Sequence, residues 1–353
     1  MDMYDAKQLY DRLKVSERED GILDLDARLR AMNGPLLAWY EEHARILPWR
    51  ENPEGYRVWI SEILLQQTRV EAVKPYYDRF MKALPDVQSL AQAKEEELLK
   101  LWEGLGYYNR VRNLGKAARM VMEEYGGRMP EEYETLLTLP GIGSYTAGAI
   151  SSIAYGRAVP AVDGNVLRVI SRITGSYEDI MKQSVRKKIE SALEQLIPTY
   201  AASDFNQGLI ELGAIVCVPN WGPKCEQCPV KEYCIAHAEN LTAEIPVKKK
   251  AKARKIEERT VLIFKDGKQI AIRKRPAKGL LAGLYEFPNL EGKFSMAEVT
   301  EYCKKIGLMP VRIQELPEAK HIFSHIEWHM TGYEVTVDEL EKTNEEGFLF
   351  IHP

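Results

Sequence analysis

Four of the five cysteines lie close together in the chain, at Cys217, Cys225, Cys228 and Cys234. Thiolates are soft ligands, and four of them complete either a tetrahedral zinc site or an iron–sulfur cube. Zinc ribbons normally contain two C-x2-C pairs, whereas this stretch contains one, which favours a [4Fe–4S] cluster and leaves zinc or metal-free buried thiols as alternatives. Because the chain is large and its first residues lack an apolar signal core, we do not expect a secreted disulfide scaffold.

Two carboxylates occur in surroundings that suit acid–base chemistry. Glu62 lies in the apolar stretch VWISEILLQQT, where burial would raise its pKa and suit it to act as a general acid. Asp163 stands between an extended segment and a predicted helix in PAVDGNVLRVISR. The alternatives are a solvated glutamate on the outer face of its helix and an aspartate that only caps a helix. A proton donor paired with a charge-stabilising carboxylate is what cleavage of a glycosidic bond requires.

Two further segments carry residue types that bind nucleic acid. In TLPGIGSYTAGAI, we expect Gly141 and Gly143 to permit left-handed backbone angles and to present amides to one phosphate; a plain helical turn is the alternative. In LGYYNRVRNL, Tyr107 lies near Arg110 and a second arginine, a combination that suits stacking on unpaired bases unless the tyrosines belong to the ordinary surface. The QQT sequence at residues 66–68 suits hydrogen bonding to base edges, with a polar helix surface as the alternative.

The pattern along the chain divides it into a helical region and a small mixed domain. Apolar residues recur at helical spacing over residues 29–240, which predicts about ten helices. Residues 1–28 are predicted to form an N-terminal extension without an assigned function, and the basic stretch 241–257 an exposed linker. RTVLIFKDGKQIAIRKR then predicts two strands around an Asp-Gly turn, FSMAEVTEYCKKIGL a helix, and HIFSHIEWHMTGYEVTV one long strand. Residues 258–353 are therefore predicted to form an α+β domain.

Composition excludes several classes of protein. A chain of 353 residues with 45% apolar and 28% charged residues suits about two folded domains and excludes a disordered or fibrous protein. No stretch approaches about 18 uninterrupted apolar residues, so we expect no membrane span and a cytoplasmic location. With 48 Lys and Arg against 52 Asp and Glu, the net charge is -4. That balance excludes a uniformly basic surface but not a basic groove, because basic residues gather at 248–255 and near 107–112.

Five segments together resemble the helix-hairpin-helix DNA glycosylases: LPWR, SEILLQQTRV, GLGYYNRVRNL, LPGIGSYTA and VDGNVLRV. The cysteines fit the subset with a [4Fe–4S] cluster, although that family usually has six residues between its first two cysteines and this chain has seven. Tyr145 stands where strand-cleaving relatives such as endonuclease III carry a Schiff-base lysine, so the resemblance favours the monofunctional, adenine-specific MutY branch. GLLAGLYEFP and FSH resemble the Nudix-like domain of that branch, without the magnesium-binding glutamates of Nudix hydrolases. The resemblance implies a six-helix barrel and an iron–sulfur helical domain at residues 29–240, followed by a Nudix-like domain.

The resemblance also implies an activity and a role for each site residue. The expected reaction is hydrolytic removal of adenine paired with 8-oxoguanine or guanine, after the base turns out of double-stranded DNA. Glu62 would protonate the adenine, Asp163 would stabilise positive charge on the sugar, and Tyr145 would line the pocket. The other expected contacts are Arg50 and Gln67 with the adenine, Leu65 and Tyr107 within the duplex, Thr68 with the opposite base, and Phe323, Ser324 and His325 with 8-oxoguanine.

We expect a monomeric, bacterial, nucleoid-associated enzyme, and the sequence does not identify a sliding-clamp or mismatch-repair partner. An endonuclease III-like enzyme for oxidised pyrimidines and a non-catalytic iron–sulfur DNA-binding protein are the alternative functions.

Overall fold

The structure, a computed structural model, describes residues 25–219, 222–249, 253–343 and 347–352. The chain divides into two units, Met1–Lys249 and Lys250–Pro353. Most of the predicted N-terminal extension, two residues of the cysteine loop and the middle of the predicted linker lie outside the described residues. None of the described helices is long and apolar enough to cross a membrane.

The first unit is helical, as predicted, and its described residues form 14 α-helices where about ten were expected. The number is higher because short connections contain single-turn helices, in which no hydrophobic period can be recognised. The helices are α1 (Leu25–Ala31), α2 (Asn33–His43), α3 (Pro48–Glu51), α4 (Gly55–Leu65), α5 (Val70–Ala83), α6 (Val87–Gln92), α7 (Glu95–Leu101), α8 (Asn109–Tyr125), α9 (Tyr133–Leu137), α10 (Ser144–Ala149), α11 (Gly164–Ile173), α12 (Gln183–Glu194), α13 (Ala202–Ile215) and α14 (Ile235–Ala238).

Two hydrophobic cores stabilise the helical unit. The first surrounds the fully buried Trp59, Phe80 and Trp102, on and between α4, α5 and α8. The second packs α2, α11 and α13 around Leu36 and Phe205. Helix α4 contributes to the first core so completely that nine of its 11 residues are buried. Glu62, which lies on this helix, is therefore held away from water.

The second unit is built on a mixed sheet. Its strand order is β3-β2-β1-β6-β5, with β4 paired to β1 and β7 to β2. Strands β1 and β6 are parallel, and the other pairs are antiparallel. Helix α15 packs Val299 and Cys303 into the core of this unit. The elements are β1 (Lys255–Asp266), β2 (Gln269–Lys274), β3 (Tyr285–Glu286), β4 (Asn289–Glu291), α15 (Met296–Lys305), β5 (Pro310–Ile322), β6 (Ile326–Val337) and β7 (Phe348–Ile351).

The long strand predicted for residues 321–337 is wrong, because the structure forms a hairpin there. Strand β5 ends at Ile322, residues 323–325 make the turn, and β6 begins at Ile326. The apolar alternation runs on through a turn without Gly or Pro, which hides the reversal in the sequence. Strand β5 itself was not predicted, because it lies at the sheet edge, is mostly exposed, and is interrupted between Leu316 and Ala319. The predicted turn between β1 and β2 is confirmed.

The predicted linker 241–257 is too long at both ends. Ile245 is buried, and its carbonyl accepts a hydrogen bond of 2.7 Å from Arg172 Nε, so this part packs against the helical unit. At the other end, β1 already begins at Lys255. Similarly, α1 crosses the predicted end of the N-terminal extension at residue 28. At both boundaries, a mostly polar sequence contains single buried residues, Leu29 and Ile245, that its composition does not reveal.

Candidate active site

The helical unit contains a cavity of about 540 Å³, a size typical of small-molecule sites. It lies among α3, α4, the loop after α4, α10, α11 and α13, so residues far apart in sequence meet there. Seven of the residues predicted to bind or act on DNA line this cavity: Arg50, Glu62, Leu65, Gln67, Thr68, Tyr145 and Asp163.

Glu62 is the buried acid of this cavity. Its side chain is only 7% exposed, and the Tyr145 hydroxyl donates a hydrogen bond of 2.5 Å to Glu62 Oε2. Burial raises the pKa of Glu62 to about 7; the Asp163 carboxylate also raises it, whereas the Tyr145 hydrogen bond and Arg50 act against the shift. The alternative of a solvated glutamate on the outer face of α4 is excluded. A carboxyl group with such a pKa holds its proton in a large fraction of molecules near neutral pH.

Asp163 both lines the cavity and caps α11. Its Oδ1 accepts hydrogen bonds of 2.8 Å from the backbone N of Asn165 and of Val166, and its Oδ2 accepts one of 2.7 Å from the Asn165 side chain. The capping interpretation is therefore correct, and it is compatible with a second role. Burial raises the pKa of Asp163, against the opposing effect of the cap hydrogen bonds. The three bonds hold the carboxylate in one orientation beside the cavity.

Behind the cavity lies an ion-pair cluster that was not predicted from the sequence. Glu211 on α13 is fully buried, and its two oxygens accept from Arg45 Nε at 2.6 Å and Arg50 Nη2 at 2.9 Å. Burial would raise the pKa of Glu211, but the hydrogen bonds from both arginines outweigh it and hold the pKa below its ordinary range. The Arg50 guanidinium also lies 5.6 Å from the centre of the Tyr40 ring. Glu211 interrupts the apolar stretch GLIELGAIV, the same signal that identified Glu62.

The loop before α8 carries Tyr107, which was predicted to enter the duplex, and the loop after α4 carries Gln67, which was predicted to contact the adenine. Tyr107 and Gln67 adopt left-handed backbone angles, with φ of 48° and 58°, which are uncommon for residues that have a Cβ. Tyr107 is half exposed. Arg110 was expected to stack on bases. Its side chain instead donates hydrogen bonds to the backbone carbonyls of Ile63 and Gln66, and so supplies donors to backbone acceptors near the end of α4. Arg112 pairs with Glu95 at 2.8 Å.

The glycine-rich hairpin between α9 and α10 matches its prediction at one of two glycines. Gly141 has φ of 83°, and a Cβ there would lie 2.7 Å from the Asn113 side chain. Gly143 has φ of -102°, which any residue adopts, so it does not use the left-handed angles that glycine permits. The chain has already reversed at Gly141 and enters α10 in an extended conformation. Phosphate binding by these amides stays a prediction.

The four clustered cysteines line one small apolar cavity. Cys217 follows α13, Cys225 begins the short 3-10 turn Cys225–Gln227, Cys228 follows that turn, and Cys234 follows the second turn, Lys231–Tyr233. Arg172 Nη1 donates a hydrogen bond of 3.3 Å to Cys217 Sγ. No group of three or more His, Cys, Asp or Glu side chains is placed to hold a metal ion among the described residues. Four soft donors around one cavity are nevertheless the donor set that an iron–sulfur cluster takes.

Phe323, Ser324 and His325 form the turn between β5 and β6 in the second unit. The Phe323 ring packs edge-on against Trp328 with centroids 5.0 Å apart, and its backbone N donates to Ile326 O at 2.8 Å. Ser324 and His325 are exposed. The aromatic residue thus anchors a turn that presents two polar side chains to solvent.

The comparisons with known proteins agree with the class of helix-hairpin-helix DNA glycosylases, to which the helical fold and its acidic cavity point. Residues 60–195 match the model of the HhH-GPD superfamily of base excision DNA repair proteins, and residues 259–352 match a NUDIX domain. A solved thermostable thymine-DNA glycosylase is similar in structure, with a TM-score of 0.54 and 32% identity, over 60% of this chain and 97% of that one. The predicted fold class is confirmed.

Sequence relatives give the particular family. The adenine DNA glycosylase of Homo sapiens is 38% identical and matches 85% of this chain, which covers 66% of that protein. The adenine DNA glycosylase of Buchnera aphidicola subsp. Schizaphis graminum is 35% identical, with 84% of each chain covered. The chain belongs to the adenine DNA glycosylase family, and the resemblance stated from the sequence is confirmed.

Proposed function

We propose that this protein removes adenine from double-stranded DNA in which the opposite base is 8-oxoguanine or guanine. The reaction is hydrolysis of the N-glycosidic bond of an adenine turned out into the cavity. The observation that carries this proposal is the hydrogen-bonded pair of Glu62 and Tyr145 with Asp163 in the same cavity. Membership of the adenine DNA glycosylase family supports the choice of base.

The buried carboxyl group supplies the proton for the leaving base. Glu62, whose pKa burial raises to about 7, donates its proton to N7 of the adenine. The electrons of the glycosidic bond then pass to the base, which leaves neutral, and positive charge develops on the sugar. Asp163, held by its three cap hydrogen bonds, stabilises that charge until water adds to the sugar and releases a proton. The Tyr145 hydroxyl stabilises the Glu62 carboxylate that remains.

The same contact supports a monofunctional mechanism. A glycosylase that also cuts the strand uses an amine to form a Schiff base with the sugar. Tyr145 occupies the position at which the resemblance places that lysine, and its hydroxyl is engaged with Glu62. Water is then the nucleophile, and the product is an intact strand with an abasic site.

The hairpin turn of the second unit is the proposed reader of the opposite base. Because adenine is a normal base, only its partner reveals that it must be removed, and an oxidised mispair also costs less to open. Ser324 and His325 are exposed at the turn, where they suit hydrogen bonding to the edge of 8-oxoguanine, and Phe323 anchors the turn through Trp328.

The cavity at Cys217, Cys225, Cys228 and Cys234 is the proposed site of a [4Fe–4S] cluster. When bound, the cluster would cross-link the segment after α13 through four iron–thiolate bonds. The Arg172 guanidinium beside Cys217 would balance part of the negative charge of the thiolates.

Adenine release from defined duplexes tests the proposed function. Purified protein should release free adenine from A:8-oxoguanine and A:G duplexes and not from A:T, with strand breaks only after alkali. Strand cleavage without alkali, or borohydride trapping of a covalent complex, would contradict the monofunctional mechanism. Ser324→Ala should reduce the preference for 8-oxoguanine over guanine by about 2- to 10-fold, the worth of one hydrogen bond. An unchanged preference would exclude Ser324 as a reader.

A further inference from the structure

Arg110 is a half-buried cation whose partners are main-chain carbonyls and aromatic faces. Its guanidinium lies 5.1 Å from the centre of the Trp102 ring and 5.7 Å from that of Tyr107. Burial lowers the pKa of Arg110 to about 10, so it remains charged at neutral pH. Nη1 donates to the carbonyls of Ile63, Leu64 and Gln66 at 2.9, 3.3 and 2.6 Å, and Nη2 to those of Leu105 and Gly106 at 3.2 and 3.3 Å.

The two ends of this guanidinium hold two different loops at equivalent positions. Nη1 binds the carbonyl of Gln66, which belongs to the peptide group that precedes Gln67. Nη2 binds the carbonyl of Gly106, which belongs to the peptide group that precedes Tyr107. Gln67 and Tyr107 are two of only four non-glycine residues with positive φ among the described residues. Such angles are disfavoured by the Cβ, so the surrounding contacts must impose them.

We propose that Arg110 is a positioning residue that ties together the two loops that carry Gln67 and Tyr107. The planar guanidinium of Arg110 orients the peptide groups before Gln67 and Tyr107. It thereby sets the spacing of these two side chains before DNA binds. This inference rests on the proposed function and on the contacts expected from the resemblance, of Tyr107 within the duplex and of Gln67 with the extruded base. A lysine at position 110 keeps the charge, but its single ammonium lacks the fixed fork that spans both loops.

A double-mutant cycle on thermal unfolding tests the tie without any DNA. Glycine adopts left-handed angles without strain, so Gln67→Gly should raise Tm by about 2–4 °C in the wild-type background. In the R110K background the loop is free to relax, so the same change should give no gain. Equal effects of Q67G in both backgrounds would overturn the proposal. Arg79 is the control, because it also combines an aromatic ring and a backbone carbonyl, but at the exposed surface; R79K and Q67G should act additively.

Base extrusion provides the functional test. In a duplex with 2-aminopurine at the target position, fluorescence rises when that base leaves the stack. R110K should slow this rise at least about tenfold, R79K should not, and the midpoint of the pH profile for adenine release should be unchanged by R110K. Extrusion by R110K at the wild-type rate would overturn the proposal. R110Q, which can donate to one loop only, replaces R110K if that variant does not fold. If the wild-type protein neither extrudes the probe nor releases adenine, the proposed function fails, while the unfolding cycle still decides on Arg110.

Discussion

Replacing Glu62 with glutamine should stabilise the protein above neutral pH while it abolishes adenine release. Burial raises the pKa of this carboxyl from its ordinary 4.5 to about 7 in the folded protein. The unfolded chain therefore loses this proton at lower pH than the folded chain. The stability that protonated Glu62 supports is fully present below the pKa that this carboxyl has in the unfolded chain. It is lost as pH rises through the pKa that the carboxyl has in the folded protein. Glutamine resembles the protonated acid at every pH, so it avoids this loss.

The expected size follows from the shift. One pKa unit corresponds to about 1.4 kcal/mol, so a rise from 4.5 to about 7 corresponds to at most about 3 kcal/mol near pH 8. Near pH 5 the same linkage gives only about 1 kcal/mol. Glu62→Gln should therefore raise Tm by about 6–12 °C at the higher pH and by about 2–4 °C at the lower. Tryptophan fluorescence reports the unfolding of the helical unit that contains Glu62, because five of the six tryptophans lie at or before residue 221.

An exposed glutamate serves as the control for this measurement. Glu41, in the last turn of α2, is exposed, so Glu41→Gln should change Tm equally at both pH values. If Glu62→Gln also changed Tm equally at both, Glu62 would not be a desolvated acid in the folded protein. The proposed proton donation would then lose its physical basis.

Three other changes have defined outcomes. Tyr145→Phe removes a hydrogen bond that favours ionised Glu62, so the pH at which single-turnover adenine release declines should rise by about one unit. Glu211→Gln leaves two arginines without their buried anion and should cost about 3 kcal/mol in urea unfolding near neutral pH. Because the pKa of Glu211 is lowered on folding, this cost should disappear as pH falls through that lowered pKa. Cys228→Ser should reduce iron and sulfide per chain and the visible absorption, and Cys303→Ser should change neither, because Cys303 lies in the core of the second unit.

Much of the candidate site could be predicted because its signals are local. Glu62 is a charged residue in an apolar helix, and Asp163 directly precedes a helix, so each stands out within a window of about ten residues. The helical class of the first unit likewise follows from periodicity within single segments. The family resemblance then connected these separate signals.

The features that escaped prediction depend on partners distant in sequence. Glu211 lies 161 residues from Arg50, and nothing near either residue indicates their ion pair. Arg110 lies beside tyrosines in the sequence, a pattern typical of residues that stack on DNA bases. Its guanidinium instead donates hydrogen bonds to carbonyls 44 to 47 residues away in the chain. Strand β5 lacks a hydrophobic period because, as an edge strand, it is mostly exposed, and its pairing with β6 alone defines it. Local patterns do not encode such tertiary contacts.

The pH dependence of single-turnover adenine release tests the central claim most directly. With an A:8-oxoguanine duplex in excess-enzyme conditions, the wild-type rate constant should fall about tenfold per pH unit above a midpoint near 7, as the buried Glu62 loses its proton. Glu62→Gln should bind the duplex and release no adenine. A rate constant that stays level well above this midpoint, or sustained release by Glu62→Gln, would contradict the assignment of Glu62 as the proton donor.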